Sequence, residues 1–427
     1  MRHTKVAAAF LVASMATIGL TACSNTTTSA AGGGAGKTTL TWGSVSAEKP
    51  AVNAIVKAFE KANPGITINT AFADSDNYQT TLRTQLSAGT APDVFFVWPG
   101  NGNPMAMKVI QQAGMLADLS KQSFVSKIPT AFQPLTNVGG KTYIAPITFT
   151  GIGAIYNETA MKAAGLTAPT TWTGLMSFCA DAKAKGKTAF ALAAATPWNT
   201  QLIPYALTPT LVYGPNPDFA QQMTAGKATF ANSNWTEALN KYSQMQKNGC
   251  FQPDDLGTVY ADALTMVAKG DALASVQVNA SAAMMQQGAP SGTTFRMETL
   301  PATDSASQTR MAGAAGASYG VNAGTKNKAA ALKLIDFLAS PVGTNLYATG
   351  DGSLPAIPNA TFKMDPSLAV IAQEQEAGKT DPFMDQLWPN AEVQQTMFEG
   401  LQKLLAGNES VTAALKAMDA SFAKGAN

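Results

Sequence analysis

Histidine is almost missing from this chain: of 427 residues only His3 carries an imidazole. The commonest general base is therefore absent beyond the first few residues, and so is any histidine-bearing metal site. Arginine is nearly as scarce, limited to Arg2, Arg83, Arg296 and Arg310. None follows a strand as an anion clamp would, which disfavours a phosphate or other anionic ligand. The 29 basic and 27 acidic side chains nearly balance, which excludes broad nucleic-acid binding, since that needs a basic patch. Three cysteines are too few for a disulfide-built scaffold. No apolar run after the N-terminal segment approaches the roughly 20 residues of a membrane-spanning helix. There is no Gly-x-Ser-x-Gly elbow, no phosphate-binding loop and no Gly-x-Gly-x-x-Gly after a strand. No stretch places a carboxylate pair suited to glycoside hydrolysis. These absences point away from an enzyme, and no cofactor or metal is expected.

The N-terminus is distinctive. Arg2 and Lys5 precede an apolar run from Val6 to Leu20, and small residues lead into Cys23. That layout reads as a secretory signal over residues 1–22. Leu20-Thr21-Ala22-Cys23 resembles the bacterial lipoprotein box. The resemblance implies cleavage before Cys23, a lipid such as palmitate on its thiol, and contact with the membrane through that anchor only. Asn25 to Gly36 holds no charge and reads, within 23–37, as a flexible tether. Without Arg2 and Lys5 the remaining chain is formally neutral. Cys179 and Cys250 are then candidate disulfide partners in an exported protein; two isolated buried thiols are the alternative.

The body begins as β-α-β-α-β. Strands are expected at 39–42, 66–72 and 93–98, with amphipathic helices at 49–61 and 77–88 between them. Asn63-Pro64-Gly65 stops the first helix. Later strands are expected at 141–149, 152–156, 188–193, 272–278, 295–300 and 318–322. Helices are expected at about 172–185, 201–211, 235–247, 258–269, 329–338, 391–406 and 411–424. Apolar strands flanked by helices indicate an α/β fold with covered sheets. The length allows two α/β units, and clefts between such units are favoured ligand sites.

Several stretches carry a family resemblance. They are Gly140-Lys141-Thr142-Tyr143-Ile144-Ala145-Pro146, Ile155-Tyr156-Asn157, Ala164-Gly165-Leu166 and Pro169-Thr170-Thr171-Trp172. Further on come Gly313 to Asn322, Lys326-Asn327-Lys328-Ala329-Ala330, Phe337-Leu338-Ala339-Ser340 and Gly352-Ser353-Leu354-Pro355-Ala356. Together, from about Thr38 to Asn427, they resemble the extracellular solute-binding proteins of ABC importers, in the sugar-binding branch similar to maltose-binding protein. The resemblance implies a two-lobe, type II periplasmic-binding-protein-like fold with a hinged cleft. It would put 38–148 and 279–315 in an N-terminal lobe, and 149–278 and 316–427 in a C-terminal lobe. Crossings would fall near Thr148, Val278 and Gly316. It implies a monomer outside the cell, anchored to the membrane by lipid, that passes a small-molecule carbohydrate to permease subunits.

A sugar offers C–H faces to aromatic rings and hydroxyls to amides and carboxylates. Residues of those types at strand ends are therefore candidates. After the first three strands these are Ser44 and Glu48, Asp74 and Tyr78, and Trp98 and Asn101. Further along they are Trp198 and Asn199, Gln277 and Asn279 at one expected crossing, and Gly316, Ser318 and Tyr319 at another. Asp351 before the Gly-Ser-Leu-Pro turn and Trp388 near the helical end complete the set. Trp42, Trp172 and Trp235 read as structural. Scarce charge favours a neutral mono- or oligosaccharide. The alternatives are another solute such as a polyamine, a carbohydrate-acting enzyme, or a structural lipoprotein.

Overall fold

The computed structural model describes residues 37–425. The expected signal, Cys23 and nearly all of the tether lie outside them. Strand Thr38–Val45 is parallel to both its neighbours, Ile66–Ala73 and Val94–Phe96, with Thr38 opposite Ile66 and Trp42 opposite Val94. The helices Lys49–Ala62 and Ser75–Ala88 make the crossovers. Pro50 sits in the first turn of the former, where a missing N–H is harmless, and Val52, Ile55 and Phe59 are buried on one face. Antiparallel strands Ser318–Val321 and Ala145–Pro146 complete this first sheet. Leu40, Trp42, Ile55, Phe59, Val94 and Phe95 lie in its core.

The second sheet is built on Thr148–Asn157, ten residues that are all buried. Met311–Ala315 and Ala272–Val278 flank it antiparallel, with Thr380–Asp381 and Thr188–Phe190 outside them. Phe295–Glu298 and Leu354–Pro355 also pair with it. Tyr156, Phe178, Phe190, Trp235 and Tyr242 pack together in a second core. There Cys179 and Cys250 form a disulfide, Cα atoms 4.8 Å apart, within the normal span of such a bond. Trp42, Trp172 and Trp235 are buried.

One expectation needs correction. Residues 295–298 and 311–315, assigned with the first lobe, hydrogen-bond into the second sheet. Residues 318–321, assigned with the second lobe, pair with Val94–Phe96 in the first. Helices Lys328–Leu338 and Pro341–Asp351 follow them, packing on Lys49–Ala62. The chain passes between sheets near Ile147, Gly316 and Leu354, where Ile147 and Ala356 donate to the carbonyls of Ala317 and Ile147. Val278 is not such a passage: helix Ser281–Gly288 beyond it packs on Tyr260–Lys269 and Phe295–Glu298.

Candidate functional site

The first strand delivers Ser44 and Glu48 to its C-terminal end, and helix Pro341–Asp351 delivers Tyr347 and Asp351 to the same place. That helix has clear local causes. The Ser340 side chain accepts from Gly343 N–H, Pro341 occupies the first turn, and Gly352 ends it in the left-handed conformation. Ser44 Oγ is 2.7 Å from Tyr319 Oη, which is 2.7 Å from Tyr347 Oη. Tyr347 donates to Glu48 Oε2 at 2.6 Å. Asp351 neighbours Glu48 closely enough to act on its carboxyl electrostatically, and Ser353 Oγ donates to Asp351 Oδ2. Asn279 Nδ2 donates to Ser353 Oγ at 2.8 Å and to the Gly352 carbonyl at 2.6 Å, while its Oδ1 accepts from Gly151 N–H.

All of these side chains are buried, and their electrostatics follow. Burial pushes the Glu48 carboxyl well above the usual carboxylate range; neighbouring Asp351 adds to this and the Tyr347 hydroxyl opposes it. Burial pushes Asp351 up to about 6, against the hydrogen bond from Ser353. Tyr260, on a helix packed against the second sheet, is pushed up to about 12, by burial first and then by the charges of Glu48 and Asp351. Tyr260 therefore lies within electrostatic reach of the acid pair. Its hydroxyl meets Ser281 Oγ at 2.8 Å and its ring packs edge-on against Trp198, centroids 4.8 Å apart. Trp198 is half-buried.

The other candidates lie at several separate places. Tyr78 uses its hydroxyl on the carbonyls of Phe96 and Gly43, and with Phe96 it braces the half-buried Trp98. Asn199 and Gln277 hydrogen-bond each other, and Gln277 also bonds Ser275, so both amides are buried and satisfied within the protein. Ser318 Oγ returns to the Gly316 carbonyl, and a Cβ on Gly316 would lie 2.0 Å from Thr150 Oγ1, so Gly316 lets the chain cross there. Asp74 is exposed at the start of helix Ser75–Ala88, apart from the acid pair. Trp388 requires correction. It is 2% exposed and wedged among Tyr205, Phe230 and Trp235, whose rings take it into the second core. Sequence reasoning missed Tyr260, Ser281, Tyr347 and Ser353. The cap and stop around Tyr347 were a usable signal; the others had none.

A second junction lies at loop Trp98–Asn103. Gly100 and Gly102 rest on the backbone at Asp385 and Gln386, where added Cβ atoms would lie 2.3 Å from the Gln386 oxygen and 2.0 Å from the Asp385 oxygen. Asn101 donates to the Pro389 carbonyl, and Asn103 to Gln394 Oε1 at 3.3 Å. Asn101 thus ties the first-sheet loop to a segment whose Met384 and Trp388 belong to the second core.

Chemically, the arrangement offers hydroxyls, carboxyls and aromatic faces, without a nucleophile–base pair. Among the described residues no group of three His, Cys, Asp or Glu is placed to hold a metal, and no helix is long and apolar enough to cross a membrane.

Residues 43–345 match the family model of the bacterial extracellular solute-binding protein, a non-catalytic family. A multiple sugar-binding protein of Streptococcus mutans is 31% identical over 145 residues, 34% of this chain. The match spans only 33% of that relative's length. A sugar transporter of Bacillus licheniformis, solved with stachyose, superposes with a TM-score of 0.72 at 21% identity, covering 90% of this chain and 99% of that one. Apo RafE of Streptococcus pneumoniae gives 0.68 at 21% identity, covering 92% and 99%. At these identities the likeness is one of fold.

Proposed function

This chain belongs to the bacterial extracellular solute-binding protein family, and we propose that it captures a neutral mono- or oligosaccharide outside the cell for an ABC importer. The observation that carries this reading is the set of half-buried aromatic rings, Trp198 paired with Tyr260 and Trp98 braced by the buried Tyr78, together with a buried hydroxyl and carboxyl network. Rings take the C–H faces of a sugar, and the polar groups take its hydroxyls. The sugar names of the S. mutans and B. licheniformis proteins support it. In this reading two lobes close on the ligand, one holding 37–147 and about 316–353, the other 148–315 and 354–425. Closure is what the permease subunits recognise, and ligand drives it by binding the closed form better.

Truncating Trp198 to Ala is expected to weaken sugar binding by about 2 kcal/mol, roughly thirtyfold, with the fold intact. Calorimetric titration checks it; unchanged affinity would remove Trp198 from the site. A second reading, a cationic solute such as a polyamine, is favoured by the acid pair, on which no basic side chain acts. A polyamine in the same titration separates the two. We further propose that Cys23 carries a lipid and holds the protein at the membrane. A Cys23→Ser variant should then appear in the medium, and retention in the membrane fraction would contradict the anchor.

A further inference from the structure

Helix Glu392–Leu405 begins where Asn390 Oδ1 accepts from Glu392 and Val393 N–H, and it buries Val393, Met397 and Leu401 in the second core. Two glutamines eight residues apart lie along one side of it. Gln402 Nε2 donates to the Ala194 carbonyl at 2.8 Å, and Gln394 Nε2 to Gln201 Oε1 at 3.2 Å. Residues 194–201, which carry Trp198, are thereby clasped at both ends. Gln394 also reaches the other way. Asn103 Oδ1 accepts from Met105 N–H at 2.9 Å, which leaves Nδ2 to donate to Gln394 Oε1 at 3.3 Å. Asn103, Gln394 and Gln201 are only 5%, 3% and 9% exposed, so these amides take their hydrogen bonds from one another rather than from water. The loop holding Asn103 belongs to the first-sheet side: Trp98 packs on the first core, and Gly100 N–H donates to the Leu135 carbonyl at 2.9 Å. Gln394 is thus bonded both to the loop after Trp98 and to the turn that carries Trp198.

We propose that Gln394 is a positioning residue: it docks loop Trp98–Asn103 onto turn Pro197–Gln201 before ligand arrives, and so sets the separation between Trp98 and Trp198 that a solute must match. The use made of the two rings rests on the sugar-capture reading above; the docking itself does not. The amide ladder has one polarity, from Asn103 through Gln394 to Gln201, so only one register of loop against helix satisfies it. When the two sides part, water takes over the exposed amide groups, so the contact positions the loop without locking it. Gln394→Leu keeps the helix and much of the volume. It leaves Asn103 Nδ2 and Gln201 Oε1 buried without partners in the docked arrangement, and parting is what hydrates Asn103 again. The docked fraction of the ligand-free protein therefore falls, and apparent affinity falls with it.

Two measurements on the whole protein test this. Small-angle X-ray scattering without ligand should give a compact wild type and a more extended Gln394→Leu. Gln402→Leu, which loses only the bond to Ala194, should scatter like the wild type. Asn103→Ala, made from the other side of the contact, should reproduce the expansion, and the double variant with Gln394→Leu should add nothing to it. Asn103→Ala also keeps the test open if Gln394→Leu does not fold. No expansion in either variant, or equal expansion in Gln402→Leu, overturns the proposal. Calorimetric titration with the best-binding sugar should show about a tenfold loss of affinity in Gln394→Leu and in Asn103→Ala. Expansion with unchanged affinity overturns the positioning role. Scattering needs no ligand, so it decides the docking even if no sugar binds, which separates the failure of this proposal from that of the sugar reading.

Discussion

A side chain added at Gly102 is expected to weaken ligand binding on the order of a hundredfold while leaving thermal stability nearly unchanged. The Cβ of Gly102→Val would stand 2.0 Å from the Asp385 carbonyl oxygen, and Gly100 has the same problem at Gln386. Backbone on both sides leaves nothing flexible to yield. If loop Trp98–Asn103 meets Asp385–Pro389 only in the closed arrangement, the substitution disfavours that arrangement and no other. Apparent affinity then falls with the closed fraction, about 3 kcal/mol for a hundredfold. If the contact is instead a permanent part of the interior, the variant will lose several kcal/mol of stability along with any binding. Calorimetry and thermal melts on one sample distinguish these outcomes.

Breaking the disulfide should cost about 4 kcal/mol. Cys179 and Cys250 are 71 residues apart in sequence, and the bridge restricts the unfolded chain over that loop. It joins helix Trp172–Ala184 to the segment following helix Trp235–Lys247, beside strand Thr188–Phe190, whose Phe190 N–H donates to the Cys250 carbonyl. A Cys179→Ala/Cys250→Ala variant should melt several degrees lower. The wild type unfolded with reductant should reproduce that shift. An unchanged melting temperature would mean that the bridge contributes nothing in solution. Neither cysteine is near the acid pair's hydrogen bonds, so ligand affinity at room temperature should hold.

Much of the first sheet was legible because its pattern is local. Apolar strands alternate with helices whose buried faces repeat at helical spacing, as Val52, Ile55 and Phe59 do. The continuous strand Thr148–Asn157 read as two pieces, since Thr150 and Gly151 interrupt its apolar run. The sheet membership of 295–321 was not legible. Met311–Ala315 is short and rich in Ala and Gly, and such strands carry little that specifies a partner. The site shows the same division. Ser44, Glu48, Tyr319 and Asp351 were identifiable singly as polar or aromatic groups near strand ends and turns. Their union was not, because Glu48 and Asp351 meet only after the first strand and the helix Pro341–Asp351 are brought side by side. Trp388 misled because a tryptophan before proline in a helical region looks the same whether it faces a cleft or a core.

The measurement that bears most directly on the account is calorimetric titration of the protein against a panel of mono- and oligosaccharides, with a polyamine included. Saturable one-to-one binding of a sugar, weakened in Trp198→Ala, is the predicted result. A folded protein, free of carried-over ligand, that binds no sugar on the panel but takes the polyamine would contradict it.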